Sequence, residues 1–399
     1  MEHSTILAIA SYFKGIEFIR ESHALGNRVL LLTSEKLQEK DWPWEAIEET
    51  FYVPGPQDDW NLDDVTRAIS YQMRERWIDR IVALDDFDLE RAARLREHLR
   101  IPGLGETRTR YFRDKLAMRA EAASHGLRVP AFEHVLNYDR LRSFMDRIPP
   151  PWVLKPRSQA SAIGIKKINS CDEIWPVLDT LGDHQSFHLI EQFLPGAVYH
   201  VDSIVWDSTV LFARCHRYAS TPMRVAHEGG VFSTYNLIYG SDEEEELQEL
   251  NRQLVSAFGL RAGVMHTEFI RAEADGEFYF LETGARVGGA HISDMVEASS
   301  GLNLWKEWGH IEPPGREYQL PEVRQDYSGI LVSLARQEVP DLSGYREPEI
   351  VWRLQKKNHA GLVVRSERWE RVQELLDLYT QRFYEDFFAT APLPDRPAD

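Results

Sequence analysis

Two glutamates are candidates for metal chemistry because each lies within an otherwise apolar segment. Glu268 lies in the run Val-Met-His-Thr-Glu-Phe-Ile, and Glu282 ends the run Phe-Tyr-Phe-Leu-Glu. A turn at Asp275-Gly276 makes the two predicted strands antiparallel neighbours, and strand alternation lets both carboxylates face one side of the sheet. Such a pair repels unless a cation lies between them, and oxygen ligands favour Mg²⁺ or Mn²⁺ held partly by nucleotide phosphates. The alternative is a pair of solvated acids at a sheet edge.

A loop of small residues follows the second glutamate directly. The segment Thr283–His291 contains Arg286 and the adjacent glycines Gly288 and Gly289. A guanidinium beside two metal-binding carboxylates is placed to neutralise a phosphoryl group during its transfer. The glycines allow close backbone approach to a substrate, so Gly289 and His291 are candidate substrate contacts.

A third candidate is a lysine at the end of an apolar strand. Lys155 ends the predicted strand Trp152–Lys155 and precedes a proline and the small-residue loop Ser158–Gly164. Small residues let backbone N–H groups approach an anion, and the ammonium group adds a point charge. The pattern indicates a phosphate-binding loop. A solvated lysine at a strand end is the alternative.

Glu191 ends a further predicted strand, Phe187–Glu191, just before a Pro-Gly turn. A carboxylate at this place predicts a hinge at Pro195-Gly196, and it can accept a hydrogen bond from the amino group of adenine. A surface glutamate would show the same pattern, so the residue alone does not decide.

A long polar stretch contains the segment His227-Glu228-Gly229-Gly230. Its spacing does not fit a metal site. It is either a loop on the substrate side, which would make His227 a substrate contact, or an ordinary connection.

The elements that must position these residues predict an α/β protein. A buried strand Ile6–Ala10, a helix Gly15–Leu25 and a strand Val29–Thr33 form a βαβ unit, which predicts a parallel sheet. A helix at Asp63–Arg76, a strand at Arg80–Asp85 and a helix at Leu89–Leu99 continue the alternation. Residues 1–105 are therefore expected to form one doubly wound domain. Its first turn, Ala-Ser-Tyr-Phe-Lys-Gly, matches neither the dinucleotide fingerprint nor the P-loop.

The rest of the chain is expected to alternate helices and strands around the candidate residues. The predicted elements are helices at Arg110–His125, Asp172–Leu181 and Arg368–Phe383, an acidic helix opened by a Ser241–Glu244 capping box, a hairpin of Tyr199–Val205 with Val210–Ala213, and strands at Ile165–Ile168, Gly329–Leu334, Ile350–Leu354 and Leu362–Arg365. The tail 391–399 holds three prolines and is expected to be flexible.

Composition excludes several classes of partner. Lys and Arg number 46 against 64 Asp and Glu, a net charge of −18, which disfavours nucleic acid and anionic membranes but not a nucleotide in a local basic pocket. The apolar stretch Ile6–Ala10 is too short for a signal peptide or a membrane span. Two cysteines, Cys171 and Cys215, exclude a disulfide framework, so a reducing, cytoplasmic location is expected.

Taken in order, these residues resemble the ATP-grasp superfamily. The matching motifs are, in chain order, Arg113-Asp-Lys115, Val153-Leu-Lys155-Pro with its small-residue loop, Glu191-Gln-Phe-Leu-Pro-Gly196, His266-Thr-Glu268 and Glu282-Thr-Gly-Ala-Arg286. The resemblance spans residues 106–310, with an α/β domain before it.

The resemblance implies a role for each matching residue. Lys115 and Lys155 would contact ATP phosphates under the loop that includes Ser161 and Gly164. Glu191 and the backbone near Phe193 would hold adenine. Glu268 and Glu282 would bind two Mg²⁺ ions, and Arg286 and Lys155 would assist phosphoryl transfer.

This sequence departs from many relatives at two positions. Val198 stands where they have a ribose-binding glutamate, and Asp202, on the same strand face, is a doubtful substitute. Gly284 stands where they have an asparagine, so a water molecule would complete the shell of one metal.

The resemblance implies three units and an ATP-dependent ligase. These are a pre-ATP-grasp domain at 1–105, the ATP-grasp fold at 106–310 and a C-terminal lobe at 311–390. ATP would activate a small-molecule carboxylate as an acyl phosphate, and a small-molecule amine would displace phosphate to form an amide, leaving ADP. The alternatives are a bicarbonate-activating carboxylase and a non-catalytic nucleotide-binding subunit. By the same resemblance a homodimer is expected.

Overall fold

The structure is a computed structural model, and it describes residues 3–57, 59–159, 163–315 and 317–390, except for the side chains of residues 226–228. Three β-sheets organise this part of the chain. No helix within it is both long and apolar enough to cross a lipid bilayer.

The first sheet is parallel and confirms the doubly wound N-terminal domain. Its elements and the helices that follow it are β1 (Thr5–Ala10), α1 (Ile16–Ala24), β2 (Arg28–Ser34), β3 (Glu49–Val53), α2 (Leu62–Gln72), β4 (Arg80–Ala83), α3 (Leu89–Leu99), α4 (Glu106–Thr109) and α5 (Lys115–Ser124). The strand order is β3-β2-β1-β4. The strand order reverses at β1, which has β2 on one side and β4 on the other, so the carboxyl ends of β1 and β4 mark the crevice where such sheets bind ligands. Strand β3 was not predicted from the sequence.

The predicted helix Arg110–His125 is wrong in its first part. The helix is interrupted before Asp114. The Asp114 carboxylate accepts hydrogen bonds from the N–H groups of Leu116 and Ala117 and so caps a new helix. Lys115 is therefore the first residue of α5, and its backbone N–H donates to the Arg157 carbonyl, 2.8 Å away.

The second sheet is small and antiparallel, in the order β5-β8-β6-β7. Its elements are β5 (Phe132–His134), α6 (Tyr138–Arg147), β6 (Trp152–Pro156), β7 (Lys166–Ile168), α7 (Cys171–Leu181) and β8 (His188–Gln192). Apolar side chains of α6 and α7 pack on one face of it, with Trp152 fully buried among them. The sheet places Lys155 on β6 and Glu191 on the neighbouring strand β8.

The third sheet has eight strands in the order β13-β12-β9-β10-β11-β14-β16-β15. The elements of this part are β9 (Gly196–Trp206), β10 (Thr209–Tyr218), α8 (Pro222–Glu228), β11 (Phe232–Asn236), α9 (Asp242–Phe258), β12 (Gly263–Ala272), β13 (Phe278–Gly284), α10 (Ile292–Ser300), α11 (Leu304–Ile311), β14 (Tyr327–Leu334), β15 (Ile350–Arg353), β16 (His359–Ser366) and α12 (Trp369–Asp386). Strands β14 to β16 continue the sheet begun by β9 to β13, so the region beyond residue 310 shares a sheet with the candidate metal carboxylates.

The polar stretch after β10 is ordered rather than a long loop. It forms α8 and then β11, which pairs with β10 on one side and β14 on the other. Polar side chains such as Thr234 and Asn236 are buried in β11 because they have hydrogen-bond partners on neighbouring elements. Their polarity is the reason that the sequence did not indicate a central strand.

Candidate active site

A cavity of about 470 Å³ lies between the small sheet and the large sheet. Lys155, Glu191 and Phe193 line it from the small sheet and the connection that follows it. Glu268 and Glu282 line it from the large sheet. The structure thus brings together most of the residues that the sequence singled out.

Glu268 and Glu282 lie directly opposite each other on β12 and β13. The Tyr218 hydroxyl donates to Glu268 Oε1 at 2.7 Å, and Lys115 Nζ lies 2.6 Å from Glu282 Oε2. Burial raises the pKa of Glu282, but the charge and hydrogen bond of Lys115, together with the charge of Lys155, outweigh burial and lower the pKa. Both carboxylates face the cavity, and together they supply the oxygen donors that a hard divalent cation prefers.

Lys115 joins the two walls of the cavity. Its ammonium contacts Glu282 and also donates to the carbonyl oxygen of Gln159 at 2.7 Å. Gln159 lies in the loop predicted to cover the phosphates. The start of α5 thus places one positive charge beside the carboxylate pair and the loop.

Glu191 lies in a buried ion-pair cluster on the small sheet. One carboxylate oxygen contacts the ammonium of Lys155, and Oε1 lies 2.8 Å from Arg119 Nε without the alignment of a hydrogen bond. Burial raises the pKa of Glu191, but Arg119 and then Lys155 lower it further than burial raises it. For Lys155, burial lowers the pKa more than Glu191 raises it. Lys155 and Glu191 are both buried, so the alternatives of a solvated lysine and a surface glutamate are wrong.

The connection after Glu191 forms one edge of the cavity. The Phe193 N–H donates to the Pro151 carbonyl at 3.1 Å, and Lys167 Nζ lies 4.2 Å from the centre of the Phe193 ring. Gly164 has a positive φ of 73° and packs against Pro156, so it closes the loop tightly beside β6. Ser161 lies outside the described residues.

A smaller cavity of about 130 Å³ continues from the larger one towards the N-terminal domain. The residues that line both cavities are Lys115, Gln159, His266, Glu282, Arg286 and Gly289. The N-terminal domain contributes Lys14, Asp85 and Asp86 at the carboxyl ends of β1 and β4, where Lys14 and Asp85 form an ion pair. Glu282 therefore lies where the two cavities meet, and Glu268 lies opposite it in the larger cavity.

Arg286 is held by a carboxylate that the sequence reasoning missed. Its Nε and Nη2 donate to Asp86 Oδ2 at 2.9 and 2.6 Å, which ties the N-terminal domain to the large sheet. Burial raises the pKa of Asp86, but Arg286 outweighs this effect and lowers the pKa to about 2. The signal that could have identified Asp86 was its position after a buried parallel strand, facing the crevice.

Asp202 is fully buried and faces histidines rather than the larger cavity. It accepts hydrogen bonds from the Nδ1 atoms of His200 at 2.7 Å and His266 at 2.8 Å. Its oxygens are therefore engaged, and it does not substitute for the ribose-binding glutamate. Val198 lines the larger cavity with an apolar side chain instead.

Gly288 lets the loop after β13 pack on this histidine cluster. A Cβ atom at Gly288 would lie 2.9 Å from Asp202 Oδ1 and 3.0 Å from His266 Nδ1. A Cβ atom at Gly289 would meet no atom within 4 Å. Only the first of the two glycines is required by packing.

The three candidate substrate contacts have different positions. Gly289 lines both cavities. His291 lies just before α10, and its Nδ1 atom is 3.2 Å from Asp294 Oδ2. The centre of its ring lies 4.8 Å from the centre of the Trp352 ring of β15. His227 lies in α8, where the structure does not describe its side chain; Met223 and Val225 of that helix line the larger cavity.

Comparison with known proteins gives amino acid ligases by sequence, and both ligases and carboxylating enzymes by structure. The chain is 22% identical over 313 residues to an L-arginine-specific L-amino acid ligase of Bacillus subtilis, covering 70% of this chain and 73% of that protein. Among solved structures, an L-amino acid ligase from Bacillus licheniformis superposes with a TM-score of 0.75 at 18% identity, covering 98% of this chain and 100% of the other. A carboxyaminoimidazole ribonucleotide synthase from Aspergillus clavatus, solved with ATP, gives a TM-score of 0.72 at 15% identity, covering 96% and 99%. No family model matches the chain.

The sheet architecture, the ordered site residues and these relatives agree. The chain has the fold of the ATP-grasp enzymes, and its sequence relatives are amino acid ligases.

Proposed function

We propose that this protein is an ATP-dependent ligase that joins the carboxylate of one small molecule to the amine of another. The larger cavity would hold ATP, and the smaller cavity would hold the reacting carboxylate and amine. The reaction would pass through an acyl phosphate and release ADP and phosphate. The observation that carries the proposal is that Glu268 and Glu282 lie opposite each other in the larger cavity, with Glu282 also lining the smaller one.

The residues present fit divalent cations. Glu268 and Glu282 supply oxygen ligands only. Each keeps a carboxylate that lines the cavity beside its contact with Tyr218 or Lys115. They would hold Mg²⁺, for which one or two carboxylates together with substrate phosphates are a usual ligand set. When bound, Mg²⁺ would offset the negative charge on the phosphates.

The positive side chains of the site would bind and orient the reacting groups. Lys155 and Lys115 would contact the phosphates from opposite sides of the larger cavity. Arg286, held in place by Asp86, would face the phosphoryl group as it moves from ATP to the substrate carboxylate.

Exclusion of water is required because an acyl phosphate hydrolyses readily. The smaller cavity supports this requirement, since it is lined by both the N-terminal domain and the large sheet. Its Lys14 and Arg113 would also attract a second substrate that carries a carboxylate.

A screen of amino-acid pairs tests the proposal. Purified protein with ATP and Mg²⁺ is assayed for phosphate and ADP, and the products are identified by mass spectrometry. We expect ADP formation that needs both an amino-acid donor and an amine acceptor, with an amide product. ADP formation that needs bicarbonate but no amino acid would identify a carboxylase, and nucleotide binding without any turnover would identify a binding subunit.

The Glu282→Gln variant is the control for this screen. It retains the size of the side chain and removes a metal-binding charge, so its ADP formation should fall to background in every reaction that the wild type catalyses.

A further inference from the structure

A third carboxylate reaches the junction of the two cavities from the N-terminal domain. Asp86 follows β4 and lines the smaller cavity together with Glu282. Both contacts from Arg286 go to Oδ2 of Asp86. The other oxygen, Oδ1, accepts no hydrogen bond from the residues that the structure describes, although the side chain is only 13% exposed.

The position of Oδ1 is fixed against the large sheet by Gly284. This glycine lies two residues after Glu282 on β13, so the two share a face, and it pairs with His266 across the sheet. A Cβ atom at Gly284 would lie 2.8 Å from Asp86 Oδ1. The absence of a side chain at residue 284 therefore leaves a space that the Asp86 carboxylate fills.

The surrounding charges leave this oxygen available for a further cation. Lys14 is paired with Asp85, and Lys115 is paired with Glu282. Asp86 and Glu282 line the same cavity, and a Cβ atom on Gly284, two residues after Glu282, would lie 2.8 Å from Asp86 Oδ1. A divalent cation between the two carboxylates would therefore be within reach of both, with Arg286 on the other oxygen of Asp86.

We propose that Asp86 Oδ1 is a third protein ligand for the divalent cations held by Glu268 and Glu282. The inference rests on the proposed function. The N-terminal domain would then take a direct part in metal binding. Asp86 would also fill the ligand position next to Gly284, so no water molecule would be needed there.

The test measures metal binding rather than turnover. The full chain is mixed with ADP, and Mn²⁺ is titrated while free Mn²⁺ is followed by electron paramagnetic resonance. We expect Asp86→Asn to weaken Mn²⁺ binding at least tenfold, or to remove one of two bound ions. Asp64→Asn, which removes an exposed carboxylate on α2 of the same domain, is the charge-matched control and should change Mn²⁺ affinity less than twofold.

A second control separates loss of a ligand from loss of the ion pair. Arg286→Gln breaks the same ion pair from its other side but removes a cation, so Mn²⁺ binding should be unchanged or tighter. If Arg286→Gln weakens Mn²⁺ as much as Asp86→Asn does, Asp86 acts through the arginine and the proposal is wrong. The proposal is equally wrong if Asp86→Asn binds Mn²⁺ like the wild type.

A swap of side chains gives a positive test. Asp86→Ala empties the space next to Gly284, and Asp86→Ala with Gly284→Asn returns an amide oxygen to it from β13. The double variant should bind Mn²⁺ more tightly than Asp86→Ala alone. If the wild type itself binds no Mn²⁺ with ADP, the failure lies with the proposed function; if the wild type binds Mn²⁺ and Asp86→Asn matches it, only the third ligand is excluded.

Discussion

The two walls of the larger cavity use the same residue type in opposite ways. On the small sheet, the Glu191 side chain is 3% exposed and contacts two cations, Arg119 and Lys155. On the large sheet, the side chains of Glu268 and Glu282 are 15% and 35% exposed. They face the Tyr218 hydroxyl, the Lys115 ammonium and, 3.7 Å from Glu268, the imidazole of His266.

The difference lies in which groups supply the compensating positive charge. The protein itself neutralises Glu191, so this carboxylate stabilises the fold and fixes Lys155 at the cavity wall. Glu268 and Glu282 are more exposed and line the larger cavity, so under the proposed function they would bind cations from solution. A glutamate in an apolar strand looks the same in both cases; the groups that face it determine its role.

The largest effect is expected from the metal carboxylates. Glu282→Gln or Glu268→Gln should lower the rate of Mg²⁺-dependent ADP formation by about 10³–10⁴-fold, or about 4–5.5 kcal/mol, because a ligand charge is lost. Melting of the metal-free variants should change far less than the rate, since each partly exposed side chain keeps its shape and loses one charged contact. The double variant should be little worse than either single one because the pair acts as a unit. Full turnover by Glu282→Gln would remove the proposed metal site.

The same substitution on the other wall should act on stability. Glu191→Gln leaves Arg119 and Lys155 buried with one charge too few, which typically costs about 3–5 kcal/mol. Thermal and urea unfolding of the apo protein measure this loss. The comparison between the walls fails if Glu191→Gln melts like the wild type while Glu282→Gln is strongly destabilised.

The sequence was sufficient for the frame of this site but not for its internal contacts. Apolar strands and glycine turns predicted the parallel sheet, and the order of charged motifs predicted which strands carry the site. The pairing of Glu268 with Glu282 follows from one short turn, which is a local feature. Local patterns of this kind are readable because only neighbouring residues determine them.

The contacts that join distant segments were not predictable in this way. Asp86 and Arg286 are 200 positions apart, and only tertiary packing brings them together. Asp202 was considered for nucleotide binding from its strand face, but histidines on β9 and β12 enclose it. The polar strand β11 was missed because its polar side chains are satisfied by partners that no local pattern reveals.

The histidines around Asp202 give a pH-dependent test of the large-sheet wall. Burial would lower the pKa of His266, but Asp202 outweighs burial and raises it to about 9, so the folded protein holds this proton more tightly than the unfolded chain. This stabilisation is complete below pH 6.5, the ordinary pKa, and is lost as pH rises through 9, a difference of about 3 kcal/mol. Urea unfolding of the metal-free protein between pH 6 and 10 measures it, and His266→Gln should flatten the dependence.

His200 provides the opposite sign on the same carboxylate. Burial lowers its pKa to about 3, so below pH 6.5 the unfolded chain binds the proton that the folded protein rejects, and stability falls with falling pH. If the loss of unfolding free energy between pH 6 and 10 persists unchanged in His266→Gln, a group other than His266 causes it.

The adjacent glycines of the Arg286 loop give a smaller and local effect. Gly288→Ala forces a methyl group against Asp202 and His266, so we expect a loss of about 1–3 kcal/mol in stability from overpacking, together with reduced turnover. Gly289→Ala points into open space and should change the free energy of unfolding by less than about 0.5 kcal/mol. Equal melting temperatures for the two variants would show that the loop does not rest on the histidine cluster.

The smallest effects are expected at the two cysteines, which are free and lie away from the charged walls. Cys215 is buried on β10, its Sγ lies 3.8 Å from the Glu244 carbonyl, and burial raises the pKa of its thiol well above the usual value. A thiol in that state is a poor nucleophile, whereas the proposed chemistry needs only oxygen ligands and cations. Cys215→Ala should therefore cost about 1 kcal/mol of stability through lost packing and leave turnover within twofold, and the exposed Cys171→Ser should change neither. Steady-state ADP release and thermal melting of both variants decide the point: a folded Cys215→Ala protein without turnover would require covalent chemistry on a buried thiol, and the assignment of catalysis to the two charged walls would have to be abandoned.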